Sequence, residues 1–229
     1  MPELSTEAGT HPQCDKESDV KMREPLNTEM NSKNKRRLID SNLIAQTKRL
    51  FIRKIEVDDQ DLIYSLYQET SLSSSPAKDD KFTELYHKVF WNETNRPNIY
   101  NGMIFLNCSG AFVGRICMQH IDSPLPELGI DIMKAYQNQG YGPEAIVAFC
   151  NWYSAKFGLH KIKVRIQKEN THSIHIFEKL GAEYNVSSPY FSNEILDVLK
   201  TKLPHSDLSS LTQNNIRDYL LQLPIIIDK

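Results

Sequence analysis

Apolar residues first recur with a strand period over Thr47–Ile55, where Leu50 and Ile52 alternate with polar neighbours. Asp58 or Asp59 then offers an N-cap to a helix with the stripe Leu62, Ile63, Leu66, Tyr67. Ser71–Ser75 and Pro76 interrupt it, and Phe82, Leu85, Tyr86, Val89 and Phe90 form a second helical stripe. Tyr100–Asn107 and Ala111–Ile121 read as strands joined through Cys108-Ser109-Gly110 as a hairpin. Glu127–Lys134 reads as a further strand. Pro143 opens a helix whose inward positions are Ile146, Phe149, Cys150, Tyr153 and Phe157, and Gly158 ends it. Lys161–Gln167 is again a strand, and Asn170 caps a helix that buries Ile174, Phe177 and Leu180 before Gly181. Strands and helices in this order predict an α+β, or mixed α/β, domain.

The two ends of the chain read differently. Residues 1–44 lack Phe, Trp and Tyr and are rich in charged and small polar types, which predicts a mobile polar tail. A short helix around Arg36–Ala45 could precede the domain, and Lys33, Lys35, Arg36 and Arg37 read as a solvated basic run. Behind the core, Ser192–Leu203 and Ile216–Leu223 read as helices and Ile225–Ile227 as a short strand. Residues 191–229 therefore form a C-terminal helical extension that could supply the last strand of the sheet.

The charge changes the functional picture by exclusion. The 229 residues carry a formal charge of -2, which argues against a nucleic-acid partner. No apolar run is long enough to span a membrane, and the first thirty residues lack the apolar core of a secretory signal. A cytoplasmic location is the expectation. Cys14, Cys108, Cys117 and Cys150 have no C-x-x-C spacing and are expected to be reduced thiols. His172 and His175 lie three apart but lack companion ligands, so no metal is expected.

The clearest chemical signal is Gln137-Asn138-Gln139-Gly140-Tyr141-Gly142, between a strand and a helix start. Converging backbone N–H groups and the helix dipole make such a turn an anion cradle. The glycines let phosphate oxygens approach the backbone. By itself the segment reads more readily as a plain strand-to-helix turn. It is neither a P-loop nor a dinucleotide fingerprint.

Its Q-x-x-G-x-G pattern resembles motif A of the GNAT superfamily of acetyl-CoA-dependent N-acetyltransferases. Thr47-Lys48-Arg49-Leu50-Phe51-Ile52-Arg53 resembles the opening T-x-R-L-x-L-R strand of the RimJ/RimL branch, which acetylates ribosomal-protein N-termini. Glu127-Leu128-Gly129-Ile130 stands where that branch has E-L-G-Y, and Asn170 through Ser173, then Glu178-Lys179-Leu180-Gly181, resemble N-x-x-S followed by E-K-L-G. The resemblance covers roughly residues 47 to 184 and implies an acetyltransferase domain over 45–190.

It further implies a central, mostly antiparallel sheet flanked by helices and splayed between its fourth and fifth strands, with acetyl-CoA as co-substrate. The backbone of Ile130, Ile132 and Met133 would pair with the pantetheine. Gln137, Asn138, Gln139, Gly140, Tyr141 and Gly142 would hold the pyrophosphate, and Asn170 would reach the pantetheine arm or serve only as a cap. Glu127 is the candidate base for deprotonating the amine, with an exposed strand-end carboxylate as its plain alternative. A strand N–H near Ile132 would hold the oxyanion. Phe177 stands where many relatives carry a proton-donating Tyr, and Ser173 is a weak substitute, so no general acid is assigned. The acceptor would enter near Glu69–Lys81 and Ser187–Ser192, past Tyr67, Tyr190 and Phe191, each of which reads more readily as core. A small-molecule amine or a protein or peptide N-terminus would serve as acceptor, and the chain would act as a monomer or homodimer. The alternative is a non-catalytic acyl-CoA-binding or partner-binding module, for which Phe177 is the one argument.

Overall fold

A computed structural model describes residues 42–70, 91–92, 94–189 and 215–227. The expected helices at Phe82–Phe90 and Ser192–Leu203, most of the polar tail, and Tyr190 and Phe191 lie outside the described residues.

The strands are β1 (Leu43–Gln46), β2 (Leu50–Lys54), β3 (Ile99–Leu106), β4 (Phe112–Gln119), β5 (Glu127–Ile132), β6 (Lys161–Gln167), β7 (Glu183–Ser188) and β8 (Ile216–Gln222). The helices are α1 (Gln60–Thr70), α2 (Tyr141–Phe157) and α3 (Thr171–Lys179). The strands form one eight-stranded sheet in the order β1-β2-β3-β4-β5-β6-β8-β7. Every neighbouring pair is antiparallel except β5 and β6, which are parallel and pair only at Glu127 with Lys163 and Leu128 with Val164. Beyond that point β5 and β6 part. This is the expected large, mostly antiparallel sheet flanked by helices and splayed between the strands that begin at Glu127 and Lys161.

Strand alternation gives the sheet two unlike faces. Ile52, Ile104, Ile116, Leu128, Ile162 and Val164 point to one side and pack with Ile146, Phe149 and Cys150 of α2 and Ile174 and Phe177 of α3. On the other side Met103 and Phe105 join Ile63 of α1 in a smaller cluster. Close approach sets one glycine. A Cβ on Gly114 would collide with the Asp131 carbonyl, so β4 lies against β5 only because that side chain is missing.

Several elements differ from expectation. Leu43–Gln46 is a strand, not the end of a helix, and pairs with β2 through a tight turn closed by Thr47 N–H donating to the Leu50 carbonyl at 2.8 Å. β5 stops at Ile132, and Lys134–Tyr136 is one 3-10 turn. Helix α2 begins at Tyr141, so Pro143 occupies its first turn, where an N–H would have no intrahelical partner. Ile216–Gln222 is strand β8 and not a helix. Seven residues with apolar positions at both two- and three-residue spacing satisfy either period, and pairing with β6 and β7 decides. Tyr219 and Leu221 are thereby buried. Ile225–Ile227 is not a strand. Instead Ile225 exchanges two hydrogen bonds with the Asn151 side chain on α2, at 2.7 and 3.0 Å. Strand β7 had no reading in the sequence. Cys117 and Cys150 are buried free thiols, and Cys108 lies at the exposed hairpin tip.

Candidate active site

Where β5 and β6 part, a cleft of ≈ 800 Å³ opens. Ile130 and Ile132 line it from β5, and Gln137, Asn138, Gly140, Tyr141 and Gly142 from the following turn. Asn170 and Phe177 line it from α3 and its cap. Glu69, Thr70, Asp131, Tyr136, Ile146, His172, Ser173 and Ile176 complete the described lining with Pro143. Of the residues singled out in the sequence, Glu127, Met133 and Gln139 are not among those lining it.

Backbone alternation gives this cleft its polar edge. Lys163 N–H bonds the Pro126 carbonyl at 2.8 Å, on the β6 side of β5. Met133 N–H bonds the Val113 carbonyl at 2.9 Å, on the β4 side. Successive strand residues aim their backbone groups at opposite edges. Leu128, Ile130 and Ile132 therefore face β6, and the last two face the opening. The Ile132 carbonyl already accepts from Gln137 Nε2 at 2.8 Å. Met133 faces away, with its carbonyl taken by Tyr136 N–H at 2.8 Å.

The turn into α2 is a cradle made of backbone. Asn138 and Gly140 both adopt left-handed conformations, at φ 59° and 78°. Gly140 is the N-cap residue, and the first-turn N–H groups after it have no intrahelical acceptor. The cradle is fixed from behind by the turn between β1 and β2. Arg49 donates from Nε to Glu144 Oε2 at 2.7 Å and from Nη1 to the Gln139 carbonyl at 2.9 Å. Its guanidinium lies 4.6 Å from the Tyr141 ring centroid. Thr47 Oγ1 and the Arg49 N–H both donate to Glu144 Oε1. Burial would raise the Glu144 carboxyl, but these hydrogen bonds outweigh it and hold the group below its usual range. The residues fit the diphosphate of acetyl-CoA: N–H donors at a helix start, no Cβ on Gly140 or Gly142, and a guanidinium behind the loop.

On the α1 side of the sheet the cleft is lined by Asp131 and Glu69, and Arg115 stands across the ladder from Asp131. Arg115 is buried in β4 and donates from Nε to Asn101 Oδ1 at 2.8 Å and from Nη1 to Tyr67 Oη at 2.7 Å. Its cross-strand partner is Asp131. Burial raises the Asp131 carboxyl above its ordinary value, opposed by the Arg115 charge. Glu69, at the end of α1, accepts from Lys134 N–H at 2.8 Å and ties the helix to the segment after β5. Tyr67 packs at the edge of the smaller apolar cluster.

Glu127 sits at the closed end of the split, with Oε2 3.4 Å from Lys163 Nζ. Asn170 Oδ1 accepts from Ser173 N–H at 3.1 Å, so it caps α3 and faces the cleft at once. Phe177 is buried between the core and the cleft. Sequence reading missed Glu144, Arg115, Asp131 and their links. The available signal was a charge inside each of two apolar strands, Arg115 in Phe112–Gln119 and Asp131 in Glu127–Ile132.

The cleft lies within a segment, residues 49–183, that matches the family model described as acetyltransferase (GNAT) domain. Over 136 residues the chain is 29% identical to the N-acetyltransferase YnaD of Bacillus subtilis, itself uncharacterised; the match spans 59% of this chain and 79% of that one. A Vibrio cholerae spermidine N-acetyltransferase solved with CoA and spermine superposes with a TM-score of 0.56 at 18% identity, covering 78% of this chain and 98% of that one. A second Vibrio cholerae structure, provisionally assigned as a ribosomal-protein-serine acetyltransferase, gives 0.54 at 20% identity, covering 79% and 97%. At such identities the two structures speak for the fold alone. The family model spans more than half of the sequence, and the chain belongs to the GNAT acetyltransferase family.

Proposed function

We propose that the protein is an acetyl-CoA-dependent N-acetyltransferase that moves the acetyl group to a primary amine by direct attack in a ternary complex. The observation that carries this reading is the parting of β5 and β6 beside the phosphate cradle, which leaves a backbone edge and an anion site along one cleft. Gly140, Tyr141 and Gly142 would hold the diphosphate, with Gln137, Asn138 and Gln139 shaping the turn. Ile130 and Ile132 would pair with the pantetheine amides as an added strand would. Met133 drops out of that role because both its backbone groups bond within the protein. Bound there, acetyl-CoA supplies an activated acyl carbon. The protein's part is to align it, exclude water and take the ammonium proton.

The acceptor is a small-molecule amine or the N-terminus of a protein or peptide. The Thr47 and Arg49 positions that resemble the ribosomal-protein branch do their work at the phosphate loop, so they select the cofactor end and carry no information on the acceptor. Mixing the protein with acetyl-CoA and a panel of amines, including polyamines and N-terminal peptides, and following free thiol tests the reading. Thiol release that depends on one class of amine is expected. Acetyl-CoA binding without turnover on any amine would instead favour a non-catalytic module.

A further inference from the structure

We infer that Asp131, and not the strand-end Glu127, is the carboxylate that receives the acceptor ammonium and removes its proton, with Arg115 as its positioning residue. This rests on the N-acetyltransferase reading above. Three observations place it. Asp131 lines the cleft on the stretch of β5 that has already parted from β6, whereas Glu127 lies at the closed end and is not among the lining residues. The two stand four residue steps apart, about 13 Å along β5. Glu127 also has a cation beside it, Lys163 Nζ at 3.4 Å.

The second observation is the face. Side chains alternate, so Asp131 points to the α1 side of the sheet and Ile130 and Ile132 to the α2 side. A cofactor strand laid along the backbone edge of Ile130 and Ile132 leaves the Asp131 carboxylate on the side from which a second substrate can approach. The third is the support. Arg115 is held by Asn101 and Tyr67 and sits directly across the ladder, so a fixed positive charge stands beside the carboxylate. The other ionisable groups near Asp131 among the described residues are Cys117 on β4, Tyr67 and Glu69 on α1, and His172 at the cleft wall. Burial raises the Asp131 carboxyl, which makes it a better proton acceptor than a surface carboxylate.

The step balances simply. The ammonium gives one proton to Asp131 Oδ, leaving a neutral amine and a carboxylic acid. The amine nitrogen bonds the acetyl carbon, the carbon–sulfur bond breaks, and its electron pair leaves on sulfur. The thiolate is neutralised by the second nitrogen proton, and Asp131 returns its own to solvent. No separate acid from Phe177 is required.

The test uses an amine that the wild-type protein acetylates. Asp131→Asn is expected to lower kcat/KM for the amine by about 10²-fold or more, with acetyl-CoA affinity by calorimetry changed less than about threefold. The fall of kcat/KM toward acid in the wild type should vanish in Asp131→Asn and persist in Glu127→Gln. Small carboxylates added to Asp131→Ala should restore part of the rate in proportion to their basicity, a dependence that a merely structural counter-charge would not show. Should Asp131→Asn fail to fold, the acid limb of Glu127→Gln and the wild type decides: loss of that limb in Glu127→Gln overturns the inference. A wild-type rate in Asp131→Asn overturns it equally. A wild type that binds acetyl-CoA but turns over no amine defeats the enzyme reading itself, a different failure.

Discussion

The two ends of the cleft are made of different material. The phosphate end is backbone: N–H groups of a helix start, a left-handed Gly140 and a strand edge at Ile130 and Ile132. Arg49 acts from behind through Glu144 and the Gln139 carbonyl. The end proposed for the acceptor is side chain: Asp131 and Glu69 line it, and Arg115, Asn101 and Tyr67 form the network behind them. A backbone cradle recognises a group common to every reaction of a family and tolerates change in side chains. A charged network in a low-dielectric face can specify one acceptor, but it is costly to disturb.

The acceptor end should therefore break hardest. Arg115→Ala removes the donor for Asn101 Oδ1 and Tyr67 Oη and leaves the Asp131 charge without its counter-ion. A loss of about 3 kcal/mol in urea unfolding is expected, the magnitude typical of leaving two hydrogen-bond partners of a buried charged donor unsatisfied. Arg115→Ala combined with Asp131→Asn should recover part of that loss, because the uncompensated charge goes too. Equal losses in the single and double variants would show that Asp131 does not feel Arg115.

The clamp behind the cradle should break less. Glu144→Gln weakens the hydrogen bonds from Thr47 and Arg49 and should cost about 1.5 kcal/mol, the more exposed ion pair with Arg49 adding little. The pH dependence fixes the cause. Burial acts to raise the Glu144 carboxyl and the hydrogen bonds more than offset it, so the folded pKa lies below the unfolded one. Its contribution is thus present above about pH 4.3 and is lost as pH falls through the folded pKa. Urea midpoints of wild type and Glu144→Gln should differ at pH 7 and converge toward pH 3. A constant difference would mean that charge is not what Glu144 contributes.

Gly140→Val tests the backbone end directly. A β-branched residue is strained at φ 78°, and its Cβ would stand 3.3 Å from Arg49 Nη2. Acetyl-CoA affinity should fall about tenfold, roughly 1.4 kcal/mol, with the amine KM little changed. A larger effect on the amine than on acetyl-CoA would reverse the assignment of the two ends.

The same contrast explains what could be read from the chain. A cradle made of local backbone leaves local traces, such as Gly140 and Gly142 before a helical stripe and Asn170 before another. So the turn and the strands that feed it were legible. Met133 was over-read because the side on which a strand residue's N–H points depends on register, and register is set by Val113, twenty residues earlier. The acceptor network was not legible for a similar reason. Arg115, Asp131, Asn101 and Tyr67 come from four elements, and nothing in their spacing shows that they meet. Strand β8 was misread as a helix because its seven residues fit both periods and only β6 and β7, distant in sequence, choose between them.

Asn170 stands between the two kinds of site, and its variant should have the smallest effect. Its Oδ1 caps α3 through Ser173 N–H at 3.1 Å, and the same residue lines the cleft. Asn170→Ala should cost about 1 kcal/mol of stability from the lost cap. Asn170→Asp keeps an acceptor for the Ser173 N–H but offers no side-chain N–H to a substrate carbonyl. If Asn170 only caps, Asp restores both melting temperature and acetyl-CoA affinity. If its amide also holds the pantetheine arm, Asp restores the melting temperature and leaves the affinity a few-fold weaker. Thermal melts and calorimetry on the three proteins separate the cases. The second outcome is expected, since a cap that served the helix alone would not need to face the cleft.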